Sequence, residues 1–305
     1  MSRHKTLCIV NPSADKGHAW RTVVALHPLV EQFGGADWAG TVYPMHAVHI
    51  AQQAAEAGYG LVIAAGGDGT VHEVINGLMQ IQADQRPSLG IIPLGSGNDF
   101  AHSMGIRGTP AEALKRVFTG EHKLMDVGRF DIGQGEPQYF SNTFGMGFDA
   151  TVTIRTQRLT WVRGFLMYFV AVLQTIAVNL DAPRMHIEAD GQAWEEKTIM
   201  IVACNGPREG GGFAVAPQAV VTDGMLDYAS VVQVSRLMML RLIPEVMNGT
   251  HGRFKQVRLG QFHHLQLQSE QPLTIHADGE VICGFDSSTR NVKIEVVPQA
   301  IDLIS

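Results

Sequence analysis

The chain has 305 residues, of which 45% are apolar and 17% charged. The length suffices for two globular domains, and the composition excludes a largely disordered protein. Its net charge of −6 is not typical of a nucleic-acid-binding protein, so we expect no nucleic-acid partner. The three cysteines, Cys8, Cys204 and Cys283, are far apart and form no paired motif, which predicts a cytoplasmic protein with reduced thiols.

The first part of the chain alternates apolar runs with helical patterns. The predicted strands are Leu7–Val10, Trp38–Tyr43, Leu61–Ala65 and Leu89–Pro93, and the helices between them are His18–Phe33, Ala47–Ala57 and Thr70–Met79. Leu61–Ala65 is apolar throughout, which is typical of a parallel strand buried on both faces. This alternation predicts an α/β domain with a doubly wound, mostly parallel sheet that binds ligands at the carboxyl ends of its strands.

The pattern changes after about residue 126. Short segments rich in β-branched and aromatic residues follow, at Tyr139–Phe144, Thr198–Ala203, Leu226–Val234, Phe262–Leu267, Leu273–Ala277 and Val292–Val297. They predict a β-sandwich with inserted helices near 160–180 and 235–248. We therefore divide the chain into domains 1–130 and 131–305, with the last residues allowed to return to the first domain.

The most apolar segment of the chain is Gly164–Val178. It is shorter than the roughly 20 residues that a helix needs to span a bilayer. We expect a buried or surface-docked helix here, and an interfacial membrane helix is the alternative.

Three turns follow predicted strands of the first domain: NPSADKG at 11–17, GGDGT at 66–70 and PLGSGND at 93–99. Glycines let backbone N–H groups converge on an anion, and helices that begin at Thr70 and Asn98 would point their positive ends at the same place. This predicts a polyphosphate site; ordinary strand-to-helix turns are the alternative. His72 and Phe100 stand where a dinucleotide fingerprint needs its third glycine, and the chain has no GxxxxGK[ST].

Asp68 and Asp99 lie inside two of these turns, beside the expected phosphates. A carboxylate there would repel a nucleotide, so it needs a counter-charge or Mg²⁺, and Lys16 is the natural organic counter-charge. Capping of the following helix is the alternative role for both aspartates.

GGDGTVHEVINGL at 66–78 and PLGSGNDFA at 93–101 resemble the catalytic domain shared by diacylglycerol, sphingosine and ceramide kinases, in particular its small bacterial members. SNTFGMGFDA at 141–150, GGGFAVAPQAVVTDGMLDYA at 210–229 and HADGE at 276–280 extend the resemblance over nearly the whole chain. It implies an ATP- and Mg²⁺-dependent kinase that phosphorylates diacylglycerol, phosphatidylglycerol, a sphingoid base or another lipid. The lipid would be presented at a membrane surface. Peripheral contact with the inner face of the membrane and a homodimer are both compatible with the sequence.

The resemblance also implies residue roles. Lys16, Asp68 and Asp99 would form a cluster that organises the loops and Mg²⁺, and the DGE segment would supply the catalytic base, for which we favour Glu280 over Asp278. The predicted ATP-binding residues are Asn11, Thr41, Gly66, Gly67, Asp68, Gly69, Thr70, Glu73, Gly95, Ser96 and Asn98. Many family members have Thr where this chain has Ser96, and the hydroxyl is kept.

The resemblance further implies a structural Mg²⁺ site in the second domain, formed by Asp223 with backbone oxygens of Val220 and Met225. Taken without the family, Asp223-Gly224 is a turn before a strand. Likewise, Asp278-Gly279 is a type I′ turn of a β-hairpin.

Two other functions remain open from the sequence. NAD kinases also carry GGDGT, although the continuation VHEVINGL and the GSGNDFA segment favour the lipid kinases. The second alternative is a non-catalytic, nucleotide-binding regulatory protein. The presence of Lys16, Asp68, Asp99 and Glu280 argues against it.

Overall fold

The structure is a computed structural model that describes residues 5–159 and 164–305, without the side chains of residues 15 and 16. The chain forms two compact units. Unit 1 contains the residues up to Asp126 together with Gln299–Ser305, and unit 2 is Val127–Pro298.

Unit 1 is an α/β domain. Its strands are β1 (Thr6–Val10), β2 (Asp37–Gly40), β3 (Leu61–Gly66) and β4 (Ser88–Pro93), and its helices are α1 (Ala19–Gln32), α2 (His46–Glu56), α3 (Asp68–Met79), α4 (Asp99–Ser103) and α5 (Pro110–Thr119), with 3-10 helices at Ala14–Gly17 and Ala83–Gln85. The strands are parallel in the order β2-β1-β3-β4, and Leu303 of the last strand pairs with Leu89 of β4. The doubly wound fold predicted for this part of the chain is confirmed.

The register of the strands sets the position of the turns that follow them. Val10 pairs with Ala65, and Ala65 pairs with Ile92. The carboxyl ends of β1, β3 and β4 therefore lie side by side at one edge of the sheet. Helices α1 and α5 share one apolar cluster with the strands, while α2 and α3 pack against each other and contact β1 and β3.

Unit 2 is a β-sandwich with inserted helices, as predicted. Its strands are β5 (His122–Asp131, which begins in unit 1), β6 (Gln138–Phe140), β7 (Thr143–Gly147), β8 (Arg184–Ala189), β9 (Gln192–Cys204), β10 (Leu226–Val232), β11 (Val257–Phe262), β12 (His264–Ser269), β13 (Ile275–Ala277), β14 (Glu280–Cys283) and β15 (Asn291–Ile304, which ends in unit 1). Its helices are α6 (Phe148–Thr156), α7 (Gly164–Val178) and α8 (Arg236–Met247), with a 3-10 helix at His251–Arg253.

Strand β9 belongs to both layers of the sandwich. Its first half pairs with β8 in the series β9-β8-β12-β15, and its second half pairs with β7 and β10 in the series β14-β13-β7-β9-β10-β11. Every second residue of β8 and β12 is buried, as a sheet with one solvated face requires. These residues form one core with aromatic residues such as Phe144 and Phe262.

Some predicted elements differ from the structure for local reasons. The predicted strand Tyr139–Phe144 is two strands, because the N–H groups of Ser141 and Asn142 donate to the carboxylate of Asp278 instead of to a neighbouring strand. The predicted strand Phe262–Leu267 is likewise divided at His263, whose N–H donates to Asp190.

Helix α6 was not predicted. Its sequence is rich in β-branched residues, which favour strands, but burial of nearly every position overrides that preference. Helix α7 packs against unit 2, as expected of a docked helix, and its contact with a membrane surface stays a prediction. No helix within 5–159 and 164–305 is long and apolar enough to cross a bilayer.

Candidate active site

In unit 1 the turns after β3 and β4 are in direct backbone contact. A Cβ atom on Gly95 would lie 2.6 Å from the Cα of Gly67, so neither turn has room for a side chain there. The N–H of Leu94 also donates to the carbonyl of Gly66 at 2.8 Å. The structure therefore brings together two of the three turns for which we predicted a polyphosphate site.

The carboxylates of Asp68 and Asp99 approach the same glycine. A Cβ atom on Gly97 would lie 3.2 Å from Asp68 Oδ2 and 3.6 Å from Asp99 Oδ2. The space beside this glycine is thus flanked by two carboxylate oxygens, which are the ligands that Mg²⁺ prefers. The donor set fits the predicted ion. The side chain of Lys16 lies outside the described part of the chain, so its place in this cluster stays a prediction.

The other oxygen of Asp68, Oδ1, accepts the N–H of Phe100 at 3.0 Å. Asp68 is the first residue of α3, and Phe100 lies in the first turn of α4. The side chain therefore links the beginnings of the two helices that follow the glycine turns.

Asn11 extends the site to the end of β1. Its Nδ2 donates to Thr70 Oγ1 at 3.2 Å. Gly66 leaves room for this threonine, because a Cβ atom on Gly66 would lie 2.3 Å from the same oxygen. The N–H of Thr41 donates to the carbonyl of Val10 at 2.8 Å, which holds this threonine next to β1. These predicted ATP-binding residues therefore lie at one edge of the sheet.

The turn after β4 is closed by the side chain of Asn98. Its Oδ1 accepts the N–H of Gly95 at 2.9 Å, its Nδ2 donates to the carbonyl of the same glycine at 2.7 Å, and its φ is 51°. Ser96 lies exposed at the tip of this turn, and Gly69 lies in the first turn of α3. Their predicted contacts with ATP stay predictions.

Glu73 has a clear structural role. Its Oε1 accepts the N–H of Met45 at 2.9 Å and its Oε2 accepts the N–H of Ala47 at 3.0 Å. These bonds hold the turn before α2, where Met45 has a φ of 66°. Strand β2 ends at Gly40 instead of continuing to Tyr43, because the N–H of Val42 donates to His46 Nδ1 at 3.2 Å and not to a neighbouring strand. The predicted contact of Glu73 with ATP stays a prediction.

In unit 2, β13 and β14 are joined by Asp278 and Gly279. Their φ values of 50° and 86° are those of a type I′ turn, so the predicted hairpin is confirmed. The Asp278 carboxylate accepts the backbone N–H groups of residues 141–143 at 2.8 to 3.1 Å and the hydroxyl of Ser141 at 3.1 Å. Four hydrogen bonds make Asp278 an anchor for that segment. Glu280, the first residue of β14, is exposed.

Behind this turn lies a buried cluster that the sequence did not predict: Asp149, Glu209 and His276. The Nδ1 of His276 accepts the N–H of Gly279 at 3.3 Å, so Nε2 carries a proton and donates to Asp149 Oδ2 at 2.6 Å. Glu209 Oε2 lies 3.9 Å from the same nitrogen. Gly145 makes room for the pair, because a Cβ atom there would lie 1.8 Å from Asp149 Oδ2.

Burial alone would raise the pKa of Asp149, but attraction to His276 and hydrogen bonds from His276 and Glu209 outweigh burial and lower the pKa below its usual value. Asp149 therefore stays ionised. Asp149 and His276 lie in motifs that the sequence had offered, GFDA and HADGE, whereas nothing in the sequence marked Glu209.

The predicted second metal site lies in the turn before β10. Asp223 Oδ1 accepts the N–H of Met225 at 3.1 Å, and the N–H of Asp223 approaches the carbonyl of Val220 at 3.4 Å. With a φ of 80° at Gly224, the turn predicted from Asp223-Gly224 is confirmed. The carboxylate and carbonyl oxygens gathered here are of the kind that binds Mg²⁺. Metal binding at this turn stays a prediction.

Two family models match the chain, one after the other. The diacylglycerol kinase catalytic domain matches residues 5–130, and the YegS C-terminal NAD kinase beta sandwich-like domain matches residues 142–305. The first contains the turns of unit 1 that were predicted to bind phosphate, and the second contains the DGE turn and the Asp149 cluster.

Similar proteins carry related names. A Xanthomonas euvesicatoria pv. vesicatoria protein named "Probable lipid kinase YegS-like" is 32% identical over 250 residues, which are 81% of this chain and 79% of that protein. A protein of the same name from Chromohalobacter salexigens is 36% identical over 76% of this chain and 73% of its own length. A crystal structure from Bacillus anthracis str. Sterne, described provisionally as a diacylglycerol kinase, has a TM-score of 0.80 at 26% identity and covers 100% of this chain and 98% of its own.

Proposed function

Because the chain belongs to the family of lipid kinases that have a diacylglycerol kinase catalytic domain, we propose that it transfers the γ-phosphoryl group of ATP to a hydroxyl of diacylglycerol or a closely related lipid. The observation that supports this most directly is the contact between the glycine turns of β3 and β4, with two carboxylates beside it. The solved relative described provisionally as a diacylglycerol kinase supports this choice of lipid.

The glycine turns bind the triphosphate of ATP. Backbone N–H groups of the two turns, within 67–69 and 96–98, donate to phosphate oxygens, and the amino end of α3 adds its positive dipole. Asp68 and Asp99 would hold Mg²⁺, which when bound neutralises charge that develops on the phosphates. Asn11, Thr41 and Ser96 line the nucleotide.

The DGE turn supplies the base. Asp278 already accepts four hydrogen bonds, whereas Glu280 is exposed next to it, so Glu280 is the better proton acceptor. The lipid hydroxyl loses its proton to the Glu280 carboxylate, its oxygen bonds to the γ-phosphorus, and the bond from that phosphorus to the bridging oxygen breaks to release ADP. The Asp149–His276 pair positions this turn through the bond to Gly279.

The proposal is tested with defined acceptors in parallel. The purified chain receives ATP and Mg²⁺ with diacylglycerol, phosphatidylglycerol, sphingosine or NAD, and the products are identified by mass spectrometry. We expect phosphorylated diacylglycerol or a related lipid, and loss of the product with Glu280→Gln. Phosphorylation of NAD alone would show an NAD kinase. Tight ATP binding without transfer to any acceptor would show a non-catalytic nucleotide-binding protein. Either result contradicts the proposal.

A further inference from the structure

Helix α7 contains no charged residue, and only Ala171, Thr175 and Ile176 of its fifteen residues are fully buried. A surface helix usually presents charged and polar side chains to solvent. Here Leu166, which is 56% exposed, lies on the same side of the helix as the exposed Leu173 and Ala177, seven and eleven positions further on. The outer side of α7 is therefore mainly apolar.

Helix α8 has a similar outer side. Leu237 is 79% exposed, and the exposed Leu240 and Met247 share its side of the helix. The buried sides of α7 and α8 pack into one cluster with Val231 and Val257 of the sheet, so their outer sides both point away from that sheet. We call the exposed residues Leu166, Leu173, Ala177, Leu237, Leu240 and Met247 the apolar face.

The exposed charges of α8 are positive, although the whole chain carries −6. Arg236 and Arg241 are exposed on α8, whose one acidic residue, Glu245, is buried and pairs with Arg253. The nearest acidic residue after α7 is Asp181, in the loop beyond the end of the helix. Apolar side chains flanked by arginines complement a bilayer that carries anionic headgroups.

The opposite side of α7 contacts segments of the candidate site. A Cβ atom on Gly279 would lie 3.7 Å from the Tyr168 hydroxyl, and one on Gly212 would lie 2.8 Å from the ring of Phe165. Gly279 belongs to the DGE turn that holds the proposed base. One helix thus joins the apolar face to the place where the lipid hydroxyl is proposed to lose its proton.

We propose that the apolar face docks on the surface of an anionic lipid bilayer and holds unit 2 against the membrane from which the lipid substrate comes. The proposal rests on the proposed function for its occupant, because a lipid kinase must meet its substrate at a bilayer. The arginines favour this occupant over a second copy of the chain. Two such faces would both carry positive charge, and like charges repel each other.

Vesicle binding without nucleotide tests the proposal. The full chain is mixed with vesicles of phosphatidylcholine or of phosphatidylcholine with phosphatidylglycerol, and binding is measured by flotation. We expect tighter binding to the anionic vesicles and weaker binding as salt is added.

Leu237→Gln/Leu240→Gln and Leu166→Gln/Leu173→Gln should each weaken binding about tenfold or more, since two leucines no longer enter the bilayer. Arg241→Gln should weaken binding about fivefold, on anionic vesicles only.

The matched control is Leu259→Gln/Phe285→Gln, which removes two exposed apolar residues of unit 2 outside the apolar face. It should change binding by less than about twofold, and thermal unfolding followed by circular dichroism should show that all variants remain folded.

Unchanged binding in the α7 and α8 variants, or an equal loss in the control, would overturn the proposal. So would analytical sedimentation in which those variants dissociate a dimer while vesicle binding stays the same. Because no catalysis is measured, failure of the kinase assay would leave this result interpretable.

Discussion

Asp68 occupies the first position of α3, and its two carboxylate oxygens have different neighbours. Oδ1 accepts the N–H of Phe100, while Oδ2 lies on the side of Gly97 and of the carboxylate of Asp99. The first contact supports the fold, and the second is where we propose that a divalent ion binds. One side chain can therefore be tested for the two roles separately.

We predict that Asp68→Asn separates these roles. The amide oxygen can still accept the N–H of Phe100, so the free energy of unfolding should change by less than about 1 kcal/mol. Loss of the charge should lower phosphoryl transfer at least about 100-fold. Asp84→Asn, at an exposed aspartate of the 3-10 helix Ala83–Gln85, is the matched control and should leave turnover unchanged. Wild-type turnover in Asp68→Asn would remove this residue from the mechanism.

The pair of Asp149 and His276 is almost fully buried, so removal of one partner leaves the other shielded from water without this hydrogen bond. We predict that His276→Ala lowers the free energy of unfolding by about 3 kcal/mol, because Asp149 loses its donor. His276→Gln, which keeps an N–H donor, should lower the free energy of unfolding clearly less. Urea unfolding measures both values. Equal losses would mean that the side chain acts through packing and not through its hydrogen bond.

The same pair predicts a pH dependence of stability. The folded state holds the pKa of Asp149 below its usual value, so ionised Asp149 stabilises the fold above about pH 4 and this contribution is lost as the pH falls further. Urea unfolding at a series of pH values should therefore show a difference between wild type and Asp149→Asn that shrinks in acid. A difference that stays constant down to pH about 2 would contradict the assignment.

At the scale of elements, the contact between the turns of β3 and β4 depends on glycine. We predict that Gly95→Ala drives the turns apart, since its Cβ atom would lie 2.6 Å from the Cα of Gly67. ATP affinity and the melting temperature should both fall. Gly40→Ala at the end of β2 is the matched control, because a Cβ atom there has nothing within 4 Å. Titration calorimetry and thermal unfolding measure the two effects; unchanged ATP affinity in Gly95→Ala would contradict the role given to this contact.

Elements with a strong local signal could be predicted from the sequence. The apolar run of β3 and the Asp278-Gly279 turn needed no knowledge of the rest of the fold. By contrast, the break between β6 and β7 depends on hydrogen bonds to Asp278, which is more than 130 positions away in the chain. Helix α6 has the composition of a strand and becomes helical within its buried surroundings.

In the candidate site, too, the features with a local signal could be predicted from the sequence, and those that depend on distant residues could not. The two glycine turns of unit 1 could be predicted to meet, because parallel strands end at one edge of a sheet. The cluster of Asp149, Glu209 and His276 could not, because α6, the loop after β9 and β13 come together only in the folded chain. Two residues of the cluster, Asp149 and His276, lie in motifs that the sequence offered, but their contact could not be predicted.

At the scale of the whole molecule, the net charge of the chain and the charge on the exposed side of α8 have opposite signs. The chain carries −6, yet α7 has no charged residue and the exposed charged residues of α8 are arginines. An acidic protein with a basic, apolar side is attracted to an anionic membrane through that side. Family membership, the glycine turns of unit 1 and the apolar face of unit 2 all favour a reaction at a lipid surface.

The most direct test of the central claim uses a lipid mixture that is not chosen in advance. The purified chain is incubated with ATP labelled on its γ-phosphate, Mg²⁺ and a total bacterial lipid extract, and the labelled products are separated and identified. We predict a labelled lipid with phosphate on a former hydroxyl group, formed only with Mg²⁺ and absent with Asp68→Asn. Label that is released only as inorganic phosphate, or that enters no lipid, would contradict the account.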